Sequence, residues 1–524
     1  MFNALNDPWI PVEYIDNTRT ELGILDTLTH SDRIRIITDD APTVRAIERL
    51  LIAIVYHATA PARWRRLFRD GIDIEAITTY LHPRAHAFDL NRFLQTADTP
   101  ASPRARIDMS RLNLGNASMF CPNRDSIPVI PAQAIRLALT RLLWDDSGIR
   151  SGIAGDRGGK SMPIGPAYLA AVPTTIANAS TLARTIALNM PEAPTRAGLD
   201  DAPIWDDEPA RERRTQDTSD IGPGRALIYP ARRITLAITP DQTITGALLS
   251  NGDRLRGTTW DTCEAHGLLY RTYGRTKNAL DQTVPRSRRT ITPWSCLIDT
   301  GAPLPIGITR ALTAPDIVDS SIQLRTTWAI LDNNGQTQAI RNATLPLRLD
   351  ANTPTRIDNL RIINAIIDHA AYLYATGESL HHPEWTDADV RTHKERHGEL
   401  IAAQFAPDIS RYLAGDEHAL TEMRRALIAT VQETESQVII ITMRAPHRTS
   451  PDGATGNVIA AAARNLIDSI NTLTDEEVTA LPAKHANVAN TAYKAPQPAS
   501  TAPTPTTTPA ADAPEAWPDA PDWA

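Results

Sequence analysis

The run Gly155-Asp156-Arg157-Gly158-Gly159-Lys160-Ser161 is the stretch of this chain nearest to a phosphate-handling motif. A phosphate loop needs a glycine, four further residues and then Gly-Lys-Ser/Thr, so that successive backbone N–H groups wrap the phosphate. Counting back from Gly159, that first glycine would stand at position 154, which is Ala154; Gly155 is one place too near. No apolar strand run precedes the segment, so nucleotide hydrolysis is not expected. His381, His382 and Glu384 share a segment broken by Pro383, which reads as an exposed interhelical loop. His393 and His397 stand four apart on a predicted helix, a spacing at which two imidazoles could chelate an ion. Lys394, Glu395 and Arg396 lie between them, the pattern of a solvated helical face, so no metal site is expected. No local Ser/His/Asp or Cys/His signature stands out. The residues do not describe an enzyme, and no cofactor is expected.

The glycine-rich stretch suits another task. From Ser147 to Lys160, Gly148, Gly152, Gly155, Gly158 and Gly159, with the small Ser151, let main chain lie against a groove wall without a Cβ clash. Arg150, Arg157 and Lys160 add charge that seeks phosphates. A plain surface loop has the same composition, and that alternative stays open. A second segment runs from Ala329 to Ile340. Its Asn334-Gly335 pair is a strong hairpin signal, because both central positions of a type I′ turn need positive φ. A tip carrying Asn333, Asn334, Gln336 and Gln338 offers amide donors and acceptors with little net charge. Such a tip can enter a minor groove or wedge against a base pair; the alternative is an ordinary β-turn. Third, Arg271, Arg275, Lys277, Arg286, Arg288 and Arg289 cluster with Tyr270 and Tyr273. They would form either a local phosphate track or a solvated charged face.

These segments need elements to carry them. Short strands are predicted over Trp9 to Val12, Thr20 to Leu25 and Ile34 to Ile37. A helix follows from Thr43 to Thr59, with Ala46, Ile47, Leu50, Leu51, Ile54 and Val55 at helical spacing and Asp40 or Thr43 as cap. Another runs from Pro131 to Asp145. From 146 to 350 the pattern turns strand-like and loop-rich, with β-type runs at Ala226 to Ile228, Ile234 to Ile238, Leu268 to Tyr270 and Thr326 to Leu331. The charged stretch Ala210 to Asp220 reads as a loop. Four helices then follow: Ile357 to Tyr374, Ala388 to Leu413, Glu417 to Glu435 and Asn457 to Leu473. In the first, Leu360, Ile363, Ala365, Ile366, Ala370 and Leu373 supply an apolar face. The expected class is α+β: a large mixed domain over 1–352, a four-helix bundle over 353–490, and a disordered Pro/Thr/Ala-rich tail over 491–524.

Composition narrows the function. A chain of 524 residues exceeds one ordinary core. Its 53 Lys and Arg against 61 Asp and Glu give a net charge of −8, so any nucleic-acid contact must be a local patch. Cys121, Cys263 and Cys296 lie far apart with no CxxC pair, which disfavours a zinc ribbon and suits a reducing cytoplasm. Asp7 and Pro8 interrupt any early apolar run, so no signal peptide is expected, and no apolar run reaches the length of a membrane span.

In collinear order, Asp7-Pro8-Trp9-Ile10-Pro11-Val12, Phe93-Leu94-Gln95-Thr96, Arg157-Gly158-Gly159 and the closing helices resemble the large subunit of the type I-E CRISPR surveillance complex Cascade, the CasA family. The resemblance spans most of the chain. It implies a non-catalytic subunit that reads a protospacer-adjacent motif (PAM) in duplex DNA from the minor groove. Gly148 and Gly152 would be glycine-loop contacts, Lys277 the minor-groove lysine, and Gln336 the wedge flanked by Asn333 and Asn334. Gly335 is an addition to the family's hairpin, which makes Gln338 a rival for the wedge. Phe120 would anchor the subunit near the 5′ end of the CRISPR RNA (crRNA) and the neighbouring backbone subunit. The implied partners are crRNA-loaded Cascade subunits, double-stranded target DNA and a helicase-nuclease, in the cytoplasm and without a membrane. The competing reading is a purely structural scaffold subunit of a ribonucleoprotein.

Overall fold

In the computed structural model the described residues are 1–60, 63–95, 106–107, 109–112, 128–146, 148–150, 162–164, 174–194, 197–207, 214–217, 220–256, 275–277, 283–285, 292, 294–298, 304–314, 319, 321–331, 337–379, 382 and 384–444. The first strand, Ile10–Tyr14, lies between Arg19–Leu22 and Ile34–Ile37 in a three-stranded antiparallel sheet. Trp9 leads into it fully buried, its indole N–H donating to the Ala4 carbonyl at 2.8 Å. The second strand stops at Leu22, short of the predicted Leu25, and a short helix Ile24–Thr29 takes over. The cause is a close crossing at Gly23, where a Cβ would meet the Leu5 carbonyl oxygen at 2.6 Å. Beyond it, Ile24 and Leu25 donate their N–H groups back to Ala4 and Leu5.

The helix Ala41–Ala58 is buried along most of its length. Its predicted apolar residues, from Ala46 to Val55, are buried. Asp40 caps it, one carboxylate oxygen accepting from the Thr43 N–H at 2.9 Å. Asp40→Ala is expected to remove about 1 kcal/mol of stability, and Asp40→Asn to leave it nearly unchanged, read as a shift in urea midpoint. Equal losses in both variants would show that charge, not the cap, matters. The helix Pro131–Trp144 packs alongside, tied through Thr43 and Thr140, whose hydroxyl oxygens lie 2.9 Å apart.

Two further three-stranded sheets stand among the described residues of the mixed part. One has the order Arg106–Ile107, Ile244–Asn251, Arg232–Ile238; the other has the order Thr337–Arg348, Ser321–Leu331, Thr174–Asn178. The region between 146 and 350 also holds helices that its strand-like pattern did not announce, at Leu182–Asn189 and Ile306–Thr313. The expected β-run at Ala226 to Ile228 is instead the end of a short helix, Pro223–Leu227. Tertiary contacts overrule propensity there. The Asp201 carboxylate accepts from the Gly224 N–H at 2.6 Å at the helix start. At its end, the Arg49 guanidinium donates to the Ala226 and Leu227 carbonyls at 2.6 and 2.8 Å. Within the stretch read as a charged loop, Thr215–Asp217 is a strand paired in parallel with Arg254–Arg256. The Leu268 to Tyr270 run lies outside the described residues.

Three long helices follow: Thr353–Ser379, Asp387–Leu413 and Glu417–Arg444, each packed against the other two. Leu360, Ile363, Ile366, Ala370 and Leu373 are buried as predicted, whereas Ala365 faces outward. Arg356, also buried, donates to Asp350 at 2.6 Å and to Glu417 at 3.1 Å, which fixes the first helix against the start of the third. The chain turns from second to third helix at Gly415, whose φ of +99° only glycine adopts without strain. The predicted fourth helix, Asn457 to Leu473, and the tail lie outside the described residues. Among the described residues no helix is long and apolar enough to cross a membrane.

Candidate nucleic-acid interface

Each of the three sequence segments suited to DNA contains or adjoins strands of an antiparallel pair. Gly148–Arg150 pairs with Met162–Ile164, Gly148 opposite Ile164. Arg275–Lys277 pairs with Thr283–Pro285, Lys277 opposite Thr283. The longest ribbon joins Ser321–Leu331 to Thr337–Arg348 over eleven residue pairs, with a register irregularity between Ile330 and Leu331 beside the Asn334-Gly335 turn position. The strand pairing is the one an Asn-Gly hairpin signal requires.

The predicted contact residues divide accordingly. The backbones of Gly148, Arg150, Lys277 and Gln338 lie in these paired strands. Gly152, Arg157, Lys160, Asn333, Asn334, Gln336 and Phe120 lie outside the described residues.

The bases of two ribbons are held by buried charge. On the helix Ala41–Ala58, Arg45 and Glu48 pair at 3.0 Å, both nearly inaccessible. Glu48 also pairs with Arg325 of the long ribbon, and Arg45 donates to the Arg325 carbonyl at 2.8 Å. Burial pushes the Arg45 guanidinium down to about 9. Burial first, and then the charge of Arg45, bring Arg325 to about 9 as well. Both values stay above neutrality, so one carboxylate faces two cations in a low-dielectric setting. A hydroxyl pair, Thr175 and Thr326 at 2.9 Å, ties the same strand to Thr174–Asn178. The glycine-rich segment leaves the helix Pro131–Trp144 through Asp145, which is fully buried. Asp145 pairs with Arg141 at 2.7 Å and with Arg232, and Arg232 also donates to the Asp146 carbonyl at 3.0 Å. Sequence reading missed these groups. An arginine or glutamate inside an apolar stripe was the available signal, since charged residues are seldom buried unless paired.

Of the motifs that carry the family resemblance, Trp9, Ile10, Val12 and Phe93 are buried in the core, while Arg157-Gly158-Gly159 lies outside the described residues. The rings of Trp9 and Phe93 meet edge to face at 6.3 Å, and Phe93 stacks on Phe88 at 5.0 Å. The Gln95 side chain accepts from the Leu236 N–H at 2.8 Å. Asp7 accepts from the Asn3 N–H at 2.6 Å and closes the turn before Trp9. Phe93 and Gln95 thus brace the N-terminal sheet and the sheet holding Arg232–Ile238.

Comparison with known proteins agrees with this architecture. The model of the CRISPR-associated protein Cse1 family matches residues 3–437. No curated protein matches the sequence. Among solved structures, Cse1 from Thermobifida fusca is similar with a TM-score of 0.66 at 19% identity, over 90% of this chain and 98% of that one. CasA (Cse1) from Thermus thermophilus gives 0.63 at 20% identity, over 89% and 99%. A chain of a CRISPR RNA-guided surveillance complex gives 0.62 at 17% identity, over 90% and 99%. At such identities these structures speak to the fold, and the family model supplies the membership. The chain belongs to the CRISPR-associated Cse1 (CasA) family, the large subunit of the type I-E Cascade surveillance complex.

Proposed function

We propose that this subunit reads the PAM in duplex DNA and starts duplex opening for an RNA-guided complex, without catalysing a reaction itself. The observation that carries the reading is the set of three antiparallel strand pairs within or beside the glycine-rich, amide-bearing and basic segments. Strand pairs of this kind present a connecting segment on a rigid stem. Gly148 and Gly152 would approach the minor groove, with Lys277, Asn333 and Asn334 beside them. Gln336 or Gln338 would wedge between the first base pairs beyond the PAM. Arg150, Arg157 and Lys160 would bind phosphates. Phe120 would anchor the subunit to the crRNA and its neighbouring subunit. Protein contacts then read only a short motif, and guide pairing reads the rest. Unstacking a step costs roughly a few kcal/mol, offset by the growing RNA–DNA duplex. The bundle would lie along the displaced strand and recruit the helicase-nuclease, in the cytoplasm. The likeness to a chain of a CRISPR RNA-guided surveillance complex supports the guide-loaded partners.

The test pairs Gly148→Asp with Gly152→Asp, and Gln336→Ala with Gln338→Ala, in complexes assembled with guide-loaded partners. Each double variant is expected to lose about ten- to a hundredfold in PAM-dependent duplex binding, on the basis of roughly 1–3 kcal/mol per base-edge contact. Assembly should be kept. Unchanged duplex binding, or loss of assembly alone, would instead identify a scaffold without DNA-reading loops.

A further inference from the structure

The junction between the first two bundle helices gathers side chains that the proposed function does not use. Glu378 stands next to the end of the first helix, and His393 and His397 lie one turn apart on the second. A single carboxylate oxygen, Glu378 Oε2, lies 3.2 Å from His393 Nδ1 and 3.4 Å from His397 Nε2. All three side chains are half-buried. The solvated face expected from Lys394, Glu395 and Arg396 is therefore only part of this helix's surface.

The distances suit a shared ligand as well as an ion pair. Around a tetrahedral zinc with bonds of about 2.0–2.2 Å, neighbouring ligand atoms stand roughly 3.3–3.5 Å apart. Two edges of the triangle already have nearly that length, and all three ligand atoms lie within 4.8 Å of one another. The rings are also held in place. Tyr374 packs on the His397 ring at 3.8 Å and Trp385 on the His393 ring at 4.0 Å, while His382 stacks on the far side of the cluster against Trp385 at 4.4 Å. A ligand set fixed by packing loses less freedom when an ion binds.

We propose that Glu378, His393 and His397 bind a late first-row divalent cation, zinc(II) foremost, which staples the first bundle helix to the second. Two imidazoles and one carboxylate suit zinc and disfavour magnesium or calcium, which take oxygen ligands. Three protein ligands leave a fourth position for water or a further donor. The site is independent of the DNA-reading segments and stands or falls separately from them.

The experiment uses the full chain, stripped with a chelator and dialysed, and titrated with zinc chloride by calorimetry and by thermal melting. Magnesium chloride is the hard-cation arm. The expected result is tight zinc binding, a melting midpoint raised by zinc and not by magnesium, and a visible cobalt(II) spectrum of the tetrahedral type. Glu378→Gln and His397→Gln keep size and hydrogen bonding, so their folds can be checked by circular dichroism. Each should weaken zinc binding by at least about a hundredfold, since even outer-shell partners carry 10–100-fold. Zinc binding of equal strength in Glu378→Gln would overturn the assignment. So would a wild-type chain whose melting and cobalt spectrum ignore the metal, leaving only a histidine–carboxylate ion pair.

Discussion

Glu48→Gln is expected to remove about 3–5 kcal/mol of folding stability, the usual cost of leaving a buried charge without its partner. Glu48 pairs with both the Arg45 and the Arg325 guanidinium groups, and its side chain is only 3% exposed. Without it, two cations remain in a low-dielectric site with each other's repulsion uncompensated. Since domains are stable by only about 5–15 kcal/mol, the variant should show a large fall in urea midpoint. The physical cause has a second consequence. Replacing all three residues together, as Arg45→Met, Glu48→Leu and Arg325→Met, should recover most of the loss, because an apolar cluster of similar volume carries no desolvation penalty. Chemical denaturation of the three proteins, wild type, Glu48→Gln and the triple variant, decides the matter. A loss below about 1 kcal/mol for Glu48→Gln would mean that water reaches the triad and that it behaves as a surface ion pair. Because Arg325 lies in the long ribbon, the same variant should also loosen that ribbon, seen as faster amide exchange over Ser321–Leu331 than over the bundle helices.

Trp9→Ala is the second large effect, about 3–5 kcal/mol, from the lost transfer energy of the indole and the cavity it leaves. Trp9 is fully buried, meets Phe93 edge-on and donates to the Ala4 carbonyl. Its own carbonyl accepts from Arg136 at 2.7 Å, so the ring position also sets the helix Pro131–Trp144. Trp9→Phe retains most of the volume and loses the indole hydrogen bond, so it should cost far less, about 1–2 kcal/mol. Thermal melting of both variants tests the order. Because the ring has no exposed surface, any loss of assembly with guide-loaded subunits should follow the loss of fold and vanish on cooling below the variant's melting range. A variant that melts like the wild type yet fails to assemble would show that Trp9 contacts a partner.

Much of the scaffold was legible from the chain alone. Helical spacing placed the helix Ala41–Ala58 within two residues of its observed start, and Pro131 marked the start of the helix Pro131–Trp144. The strand Ile34–Ile37 and the second bundle helix end where the pattern said they should. Local chemistry decides these features: apolar periodicity, a capping aspartate, proline at a first turn. Among the collinear motifs, Trp9 and Phe93 reflect core packing, one ring against the other, rather than a contact with a ligand.

What the chain alone could not decide are the positions where distant segments meet. Ala226 to Ile228 has strand-like residues, yet Asp201 and Arg49 supply the caps of a short helix there. Arg45 and Glu48 sit in an apolar helix and become intelligible only when Arg325, nearly three hundred residues away, completes the charge balance. His393 and His397 read as a solvated face until Glu378 arrives from the neighbouring helix with Tyr374 and Trp385 around the rings. Periodicity and capping are short-range and are written in neighbouring residues. Burial of charge and convergence of ligands depend on three-dimensional proximity, which tertiary packing alone creates.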